Sequence, residues 1–425
     1  MVMRFRKEYF TLICLGIFLT PSIMRVGVLK SHWGLINPLA WIGIVAIVYM
    51  NLLKRYKTID ILEGLKYIWL PILACLFIVS TITFQSFEKI AIAKYLYATL
   101  LPGVILYIGV SDNDLITYLN IFCSFLTVAC TFIVICGLLD LILSLGIGSF
   151  FAEITGVQSS VALIRDGRMV SYYGHALLSS ELMILCFSFN SIRGLYFKQW
   201  DSLLYTIFYS AIALIGVGLS GSKVGLILII IEFFILYFSK KNIKYSAIMA
   251  LCIYGVYKIG FLDTVLYRFL RGIQKGDLSS GRHTNLSLLW RSGMLDFKIF
   301  KGNIGTEFTP AMIKALEYPL LRWAYLFGIW FSIVICIVFF VIPLINCAKS
   351  GKFKLFVIAT IIIMDVNSYS GITTLSDHML IYCVSMFLLL NVARILKGDT
   401  NEALLYNTKS IHLRRNTASY YDTAR

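Results

Sequence analysis

Four short segments place cationic side chains beside glycines or at the predicted start of a helix. They are residues 165–175, 219–225, 280–291 and 317–323, with the sequences RDGRMVSYYGH, LSGSKVG, SGRHTNLSLLWR and EYPLLRW. Guanidinium forks, ammonium groups and backbone N–H donors are the groups that hold phosphates best. A helix that begins beside them adds partial positive charge. The segments are therefore candidates for binding a phosphate-bearing substrate.

Each cation also has a purely structural interpretation. Arg168 is typical of an arginine anchored at lipid headgroups, and His175 is more typical of a packed or headgroup-level histidine. Lys223 would close a tight interfacial turn. Arg282 and Arg291 fit a surface helix with solvated charges. Both interpretations stay open for every segment.

The segment around Lys223 is close to a nucleotide-binding phosphate loop but does not match its pattern. Counted from Gly216, the pattern needs a lysine where Ser222 stands and a serine or threonine where Lys223 stands. This mismatch argues against nucleotide binding.

Carboxylates form a second set of candidates. Glu317 is predicted where the chain re-enters the membrane, and there it suits either general-base work or an ion pair with Arg322. Four further acids lie inside apolar runs, at Asp140, Glu181, Glu232 and Asp365. Each costs roughly 2.5 to 3.5 kcal/mol at the centre of a membrane helix, so we expect structural ion pairs, with a proton or ion pathway as the alternative.

The composition of the chain indicates which kind of structure carries these residues. The 425 residues are 59% hydrophobic and 14% charged, against roughly 45 to 50% and about 25% in soluble domains. Apolar runs recur along the whole chain, each long enough to cross a hydrocarbon layer of about 30 Å as a helix. The sequence therefore predicts an all-α, polytopic membrane bundle of about twelve spans.

We predict the spans at residues 9–24, 35–53, 67–84, 93–110, 116–144, 174–190, 202–218, 224–239, 244–260, 323–346, 354–371 and 378–393. Lysine and arginine recur in the even-numbered connections, which the positive-inside rule assigns to the cytoplasm together with both termini. Residues 1–393 would form the membrane domain and residues 394–425 a cytoplasmic tail. One large, basic extracytoplasmic loop, residues 261–321, would lie between spans nine and ten.

The order of these motifs resembles the O-antigen polymerase and O-antigen ligase superfamily of bacterial envelopes. The resemblance runs from about Arg168 to Ile333 and rests on the segments quoted above, on residues 302–305, and on Gly328 and Ile329 opening a span. One departure is Lys223, which stands where the family commonly has arginine. A second is Glu317, which stands where the ligases commonly have a histidine near the end of the loop, and it favours a polymerase.

The resemblance implies a membrane glycosyltransferase of the C type that joins undecaprenyl-pyrophosphate-linked repeat units into O-antigen or capsular polysaccharide. Its pyrophosphate-binding residues would be Arg168, Lys223, Arg282 and Arg291. Its catalytic residues would be Glu317, Arg282 and His175, with Glu317 as the general base and His175 as a positioning residue. A ligase, or a transporter or flippase of lipid-linked sugars, is the alternative.

The resemblance also implies the location and the partners. The protein would lie in the bacterial cytoplasmic membrane and act at its outer face. Its partners would be the lipid-linked oligosaccharide, membrane lipid and a chain-length regulator protein, without nucleic acid. Because cations can neutralise the leaving group and no carboxylate cluster has metal-ligand spacing, we expect neither a metal nor another cofactor.

Overall fold

Every regular element in the described part of the chain is a helix. The computed structural model describes residues 5–29, 37–55, 67–81, 96, 100–155, 163–164, 166–198, 202–237, 250–251, 253–255, 257–258, 260, 262–274, 276–277, 279–304, 308–369, 371–374 and 376–398. The prediction of an all-α protein is confirmed for these residues.

The helices of the first half are α1 (Phe5–Leu19), α2 (Ser22–Leu29), α3 (Pro38–Arg55), α4 (Trp69–Thr81), α5 (Asp112–Leu143), α6 (Ile147–Thr155), α7 (Ala176–Phe197), α8 (Leu203–Ser220) and α9 (Lys223–Tyr237). Those of the second half are α10 (Asp263–Gln274), α11 (Arg282–Arg291), α12 (Pro310–Ala315), α13 (Pro319–Phe327), α14 (Ile329–Ala348), α15 (Phe353–Val366), α16 (Gly371–Thr374) and α17 (Ser376–Gly398).

Several helices begin at a hydroxyl residue that accepts a hydrogen bond from a backbone N–H of the first turn. This cap satisfies a donor that has no partner inside the helix. The capping residues are Ser111 of α5, Ser202 of α8, Ser222 of α9 and Thr309 of α12. The local sequence therefore determines where these helices start.

Four helices in the described residues are long and apolar enough to cross a membrane. They are residues 112–143 of α5, 203–220 of α8, 329–348 of α14 and 377–397 of α17. On α5 the side chains of Val128, Phe132, Ile135, Leu139 and Ile142 form an exposed apolar stripe. A stripe of this size in water would be unfavourable, so it is suited to lipid.

The other predicted spans agree with the structure to different degrees. Helices α1, α3, α4, α7, α9 and α15 lie at predicted spans but are not among the four. Of the predicted span 93–110, residues 101–105 form a short 3₁₀ helix, and residues 106–110 are not helical. Most of the predicted span 244–260 lies outside the described residues. Helix α17 continues to Gly398, past the predicted boundary at residue 393, and the tail from residue 399 also lies outside the described residues.

Helices α7 and α17 form the centre of the bundle, and most of their side chains are buried on all sides. A polar side chain of α17 forms hydrogen bonds with the non-helical segment 106–110. Asn391 of α17 accepts a hydrogen bond from Val110 N at 3.1 Å and donates to Ile108 O at 2.9 Å. These two backbone groups after the 3₁₀ helix thus have hydrogen-bond partners without helical structure.

A proline explains the π-helical turn inside α14, residues 336–341. Pro343 has no N–H, so carbonyls one turn earlier lack their usual donor. The hydroxyl of Tyr382 donates to Phe339 O at 2.5 Å, and the hydroxyl of Tyr107 donates to Val338 O at 2.5 Å. These bonds join α14 to α17 and to the segment after the 3₁₀ helix.

The described part of segment 261–321 is folded against the bundle. It carries α10, α11 and α12, and a small apolar core that includes Leu289, Met312 and Tyr325 joins the last two to α13. Gly328, with φ +96°, separates α13 from α14 where a single span 323–346 was predicted. A Cβ there would lie 3.0 Å from Ile299 O, and side chains are strained at this φ, so the position favours glycine.

Candidate functional site

The segment that precedes α7 is fixed on both sides. The hydroxyls of Tyr172 and Tyr173 donate to carbonyls at the end of α1, Tyr172 to Phe18 O at 2.8 Å. On the other side Met169 N donates to Leu219 O at 2.9 Å. Arg168 is therefore held over the carboxyl end of α8.

Arg168 is buried, with 6% of its surface exposed. Its Nε donates to Ser220 O at 2.7 Å. Its Nη2 is also buried, and no hydrogen-bond partner for it is found among the described residues. A buried guanidinium edge of this kind is suited to an anionic ligand.

Two backbone carbonyls of the turn between α8 and α9 accept hydrogen bonds from arginines. Gly221 has φ +64°, which ends α8 in the left-handed conformation that glycine favours. Its carbonyl accepts a hydrogen bond from Arg268 Nη1, while the neighbouring Ser220 carbonyl binds Arg168. The negative end of the α8 dipole thus draws two guanidinium groups to one place.

Lys223 and Arg282 are the other two cations of the site, and each is the first residue of a helix. Lys223 is the first residue of α9, and its Nζ donates to Ser280 Oγ at 3.1 Å. Arg282 is the first residue of α11 and follows Gly281, whose N–H donates to Asp277 Oδ2 at 2.9 Å. Hydrogen bonds from this turn lower the pKa of Asp277, so its carboxylate holds the start of α11.

Arg282 connects two distant parts of the chain. Its Nε is ion-paired with the carboxylate of Glu317, which precedes α13. Its Nη1 donates to Ser368 O at 2.6 Å, just after α15. These two contacts fix the orientation of the Arg282 guanidinium.

We call Arg168, Lys223, Arg268 and Arg282 the cationic cluster. Burial, and then Arg268 and Arg282, lower the pKa of Arg168 to about 9. Burial, and then Arg282, also lower the pKa of Arg268. Asp166 and Glu317 act in the opposite direction but do not outweigh these effects. Four cations stand here against three acids, Asp166, Asp277 and Glu317, so positive charge is in small excess and favours an anion between these groups.

His175 caps the start of α7. Its Nδ1 accepts a hydrogen bond from Leu177 N at 3.2 Å, and its ring stacks on Tyr369 at a centroid distance of 5.7 Å. Burial, and then Arg168 and Arg282, lower the pKa of His175 to about 4. The imidazole is therefore neutral at pH 7, and its proton is on Nε2. His175 can donate a hydrogen bond but is not placed as a general base.

The structure brings Arg168, Lys223, Arg282 and Glu317 together, and His175 lies at the edge of this group. It does not bring Arg291 there. Arg291 is exposed at the other end of α11, about 13 Å from Arg282 along the helix axis. Arg322 lies with its guanidinium 5.5 Å from the centre of the Phe308 ring, while Glu317 pairs with Arg282.

Two residues of the site were not predicted from the sequence. Arg268 lies on α10, which is strongly amphipathic, so its helical phase was the available signal. Tyr369 had no local signal, because Glu181, to which its hydroxyl donates, comes from a distant segment. Its hydroxyl donates to Glu181 Oε2 at 2.7 Å and lies 2.9 Å from His378 Nδ1.

The acids in the apolar runs have separate roles. Asp140 accepts hydrogen bonds from Ile147 N and Gly148 N, both at 2.9 Å, and so caps α6. Glu232 accepts a hydrogen bond from Ser188 at 2.6 Å. Asp365 is buried at the end of α15. Within the described ranges no three His, Cys, Asp or Glu side chains gather as a metal site.

Comparison with protein-family models and with curated proteins found no match for this chain. The apolar helices define it as a membrane protein. Its function must therefore be argued from the cationic cluster and its surroundings.

Proposed function

We propose that this chain is a polysaccharide polymerase that joins undecaprenyl-pyrophosphate-linked repeat units. The observation that carries the proposal is the cationic cluster. Arg168 and Arg268 bind carbonyls of the turn after α8, and Lys223 follows this turn. Arg282 lies close enough to lower the pKa of Arg168 and Arg268. A doubly phosphorylated headgroup matches this density of positive charge. The resemblance of the same segments to the O-antigen polymerase and ligase superfamily supports the same choice.

The reaction is a glycosyl transfer at the anomeric carbon. A hydroxyl oxygen of the acceptor repeat unit attacks that carbon, and the bond from carbon to the pyrophosphate oxygen breaks. The pyrophosphate leaves with the electron pair. The hydroxyl proton passes to Glu317. Arg168, Lys223, Arg268 and Arg282 stabilise the charge that develops on the leaving group.

The ion pair between Arg282 and Glu317 gives this reaction an order of events. Before the substrate binds, Glu317 occupies the Nε side of the guanidinium. A pyrophosphate that binds Arg282 takes over this contact and releases the carboxylate beside the reacting centre. Glu317 thus becomes available as a base only when the donor is bound.

We also propose the finer topology. About twelve spans would cross the bacterial cytoplasmic membrane, with both termini in the cytoplasm and segment 261–321 outside. The four long apolar helices and the folding of α10 to α12 beside the cluster support this arrangement. The cluster would then face the outer leaflet, where lipid-linked repeat units are joined.

Purified protein in nanodiscs, supplied with one lipid-linked repeat unit, tests the proposal. We expect a ladder of polymers from the wild type and from Arg291→Ala, and none from Arg282→Ala. Transfer only to an added acceptor would instead indicate a ligase. Unchanged substrate that has moved across the bilayer would indicate a transporter, whose cations would line a path through both leaflets. Normal ladders from Arg282→Ala would refute the site.

A chain-length regulator protein is a further proposed partner. Polymer length measured with and without such a protein would test this. An unchanged length distribution would contradict it.

A further inference from the structure

A second polar group lies beside the cationic cluster and is enclosed by the bundle. The hydroxyl of Tyr369 donates to Glu181 Oε2 at 2.7 Å and lies 2.9 Å from His378 Nδ1. His378 Nδ1 is also 3.6 Å from the same carboxylate oxygen. All three residues are at most 4% exposed. We call these three residues the Tyr369 network.

The network joins α7 to the stretch of chain that leads from α15 into α17. Glu181 lies on α7, Tyr369 follows α15, and His378 lies in the first turn of α17. Gly371 allows the close approach, because a Cβ there would lie 2.3 Å from His378 Nδ1 and 2.4 Å from Tyr369 Cε2. The backbone is thus shaped to hold Tyr369 in this position.

Tyr369 is connected to the cluster in two ways. The residue before it, Ser368, accepts a hydrogen bond from Arg282 Nη1 at 2.6 Å. Its ring stacks on His175 with an angle of 4° between the planes. A movement of Tyr369 would therefore move the carbonyl that orients Arg282.

Burying three polar side chains costs free energy of desolvation, which the hydrogen bonds among them offset only in part. Their use at this place fits a role in selecting one conformation. We infer that Tyr369 is a positioning residue for pyrophosphate binding. Glu181 and His378 hold its hydroxyl, and Tyr369 in turn holds Ser368 and the direction of the Arg282 guanidinium. This inference rests on the proposed function.

A double-mutant cycle tests the inference. Undecaprenyl pyrophosphate is titrated into nanodisc-embedded wild type, Tyr369→Phe, Arg282→Ala and the double variant. We expect Tyr369→Phe to weaken binding 5-fold to 10-fold in the wild-type background and less than 2-fold in the Arg282→Ala background. A merely structural role predicts the same factor in both backgrounds, which would overturn the inference. So would unchanged binding by Tyr369→Phe.

Glu232→Gln is the matched control. Glu232 is also fully buried and bonded to a hydroxyl, that of Ser188, but it has no bond to the cluster. We expect this variant to bind within 2-fold of the wild type. Should Tyr369→Phe fail to fold, Glu181→Gln replaces it in the cycle, with the same expectation of coupling to Arg282.

A second measurement needs no undecaprenyl pyrophosphate. Phenylglyoxal modifies arginine, and mass spectrometry gives the rate at Arg282. We expect faster modification in Tyr369→Phe but not in Glu232→Gln. If the wild type binds no undecaprenyl pyrophosphate while this difference persists, the proposed function fails and the positioning of Arg282 stands. Equal rates in all three proteins would overturn the inference by itself.

Discussion

Arg168 offers the sharpest perturbation of the cationic cluster. It is 6% exposed, one nitrogen is bonded to Ser220 O, and the buried Nη2 faces no described protein acceptor. A charge-assisted hydrogen bond contributes about 1.5 to 3 kcal/mol, which corresponds to a factor of about 10 to 150 in affinity. We therefore expect Arg168→Ala to weaken binding of undecaprenyl pyrophosphate by a factor in this range.

A lysine at this position separates charge from geometry. Arg168→Lys keeps the positive charge but lacks the fork that can bind Ser220 O and a phosphate together. We expect a loss of affinity that is smaller than that of the alanine variant but still measurable, about 3-fold to 10-fold. The assay is a titration of protein in nanodiscs at fixed ionic strength, because salt screens such contacts.

Arg291→Ala is the control for this titration. Its guanidinium is exposed at the far end of α11, so we expect an effect of less than about 2-fold. Thermal unfolding of each variant establishes that it is folded. Binding by Arg168→Ala within 2-fold of the wild type would show that Arg168 does not hold the pyrophosphate. An equal loss in Arg291→Ala would show that the effect is not specific to the cationic cluster.

Four further predictions concern neighbouring residues and conditions. Glu317→Gln should lower the turnover number by at least about 100-fold while the donor still binds, because only the base is lost; equal turnover would exclude Glu317 as the base. Gly221→Ala should destabilise the fold by about 1 to 2 kcal/mol because of its positive φ, and an unchanged unfolding midpoint would contradict this. Since the pKa of His175 is lowered to about 4, the unfolded chain binds its proton first as the pH falls, so stability is lost between about pH 6.5 and pH 4. His175→Asn, which keeps an acceptor for the cap, should lose less stability than the wild type over this range; equal losses would contradict the assignment. Turnover should persist in EDTA, and loss in EDTA with recovery on adding Mg²⁺ would mean that a metal takes part.

The helices were predictable wherever local chemistry determines them. Apolar runs predicted α5, α8 and α17 because a membrane helix must be apolar over its whole length. Pro343 was not recognised as an interruption. Gly328 was placed at the opening of a span by the resemblance, yet it was also included inside the predicted span 323–346. A glycine breaks a helix only where the backbone needs a positive φ or a close approach, and both depend on contacts with the distant segment 298–304.

The candidate site was predictable in part. Arg168, Lys223 and Arg282 were singled out because each begins or precedes a helix next to glycine or serine. Arg291 could have been set aside from helical phase alone, since nine residues at 100° each place it opposite Arg282. Tyr369 could not be found, because only the tertiary fold brings its hydroxyl to Glu181.

A cryo-EM structure of the protein in nanodiscs with undecaprenyl pyrophosphate bound would show whether the cationic cluster holds the pyrophosphate. We expect density for the pyrophosphate between Arg168, Lys223, Arg268 and Arg282, with Glu317 displaced from Arg282 and the site open to the outer leaflet. A pyrophosphate bound elsewhere, or a cationic cluster that opens to the cytoplasm, would contradict the proposed function.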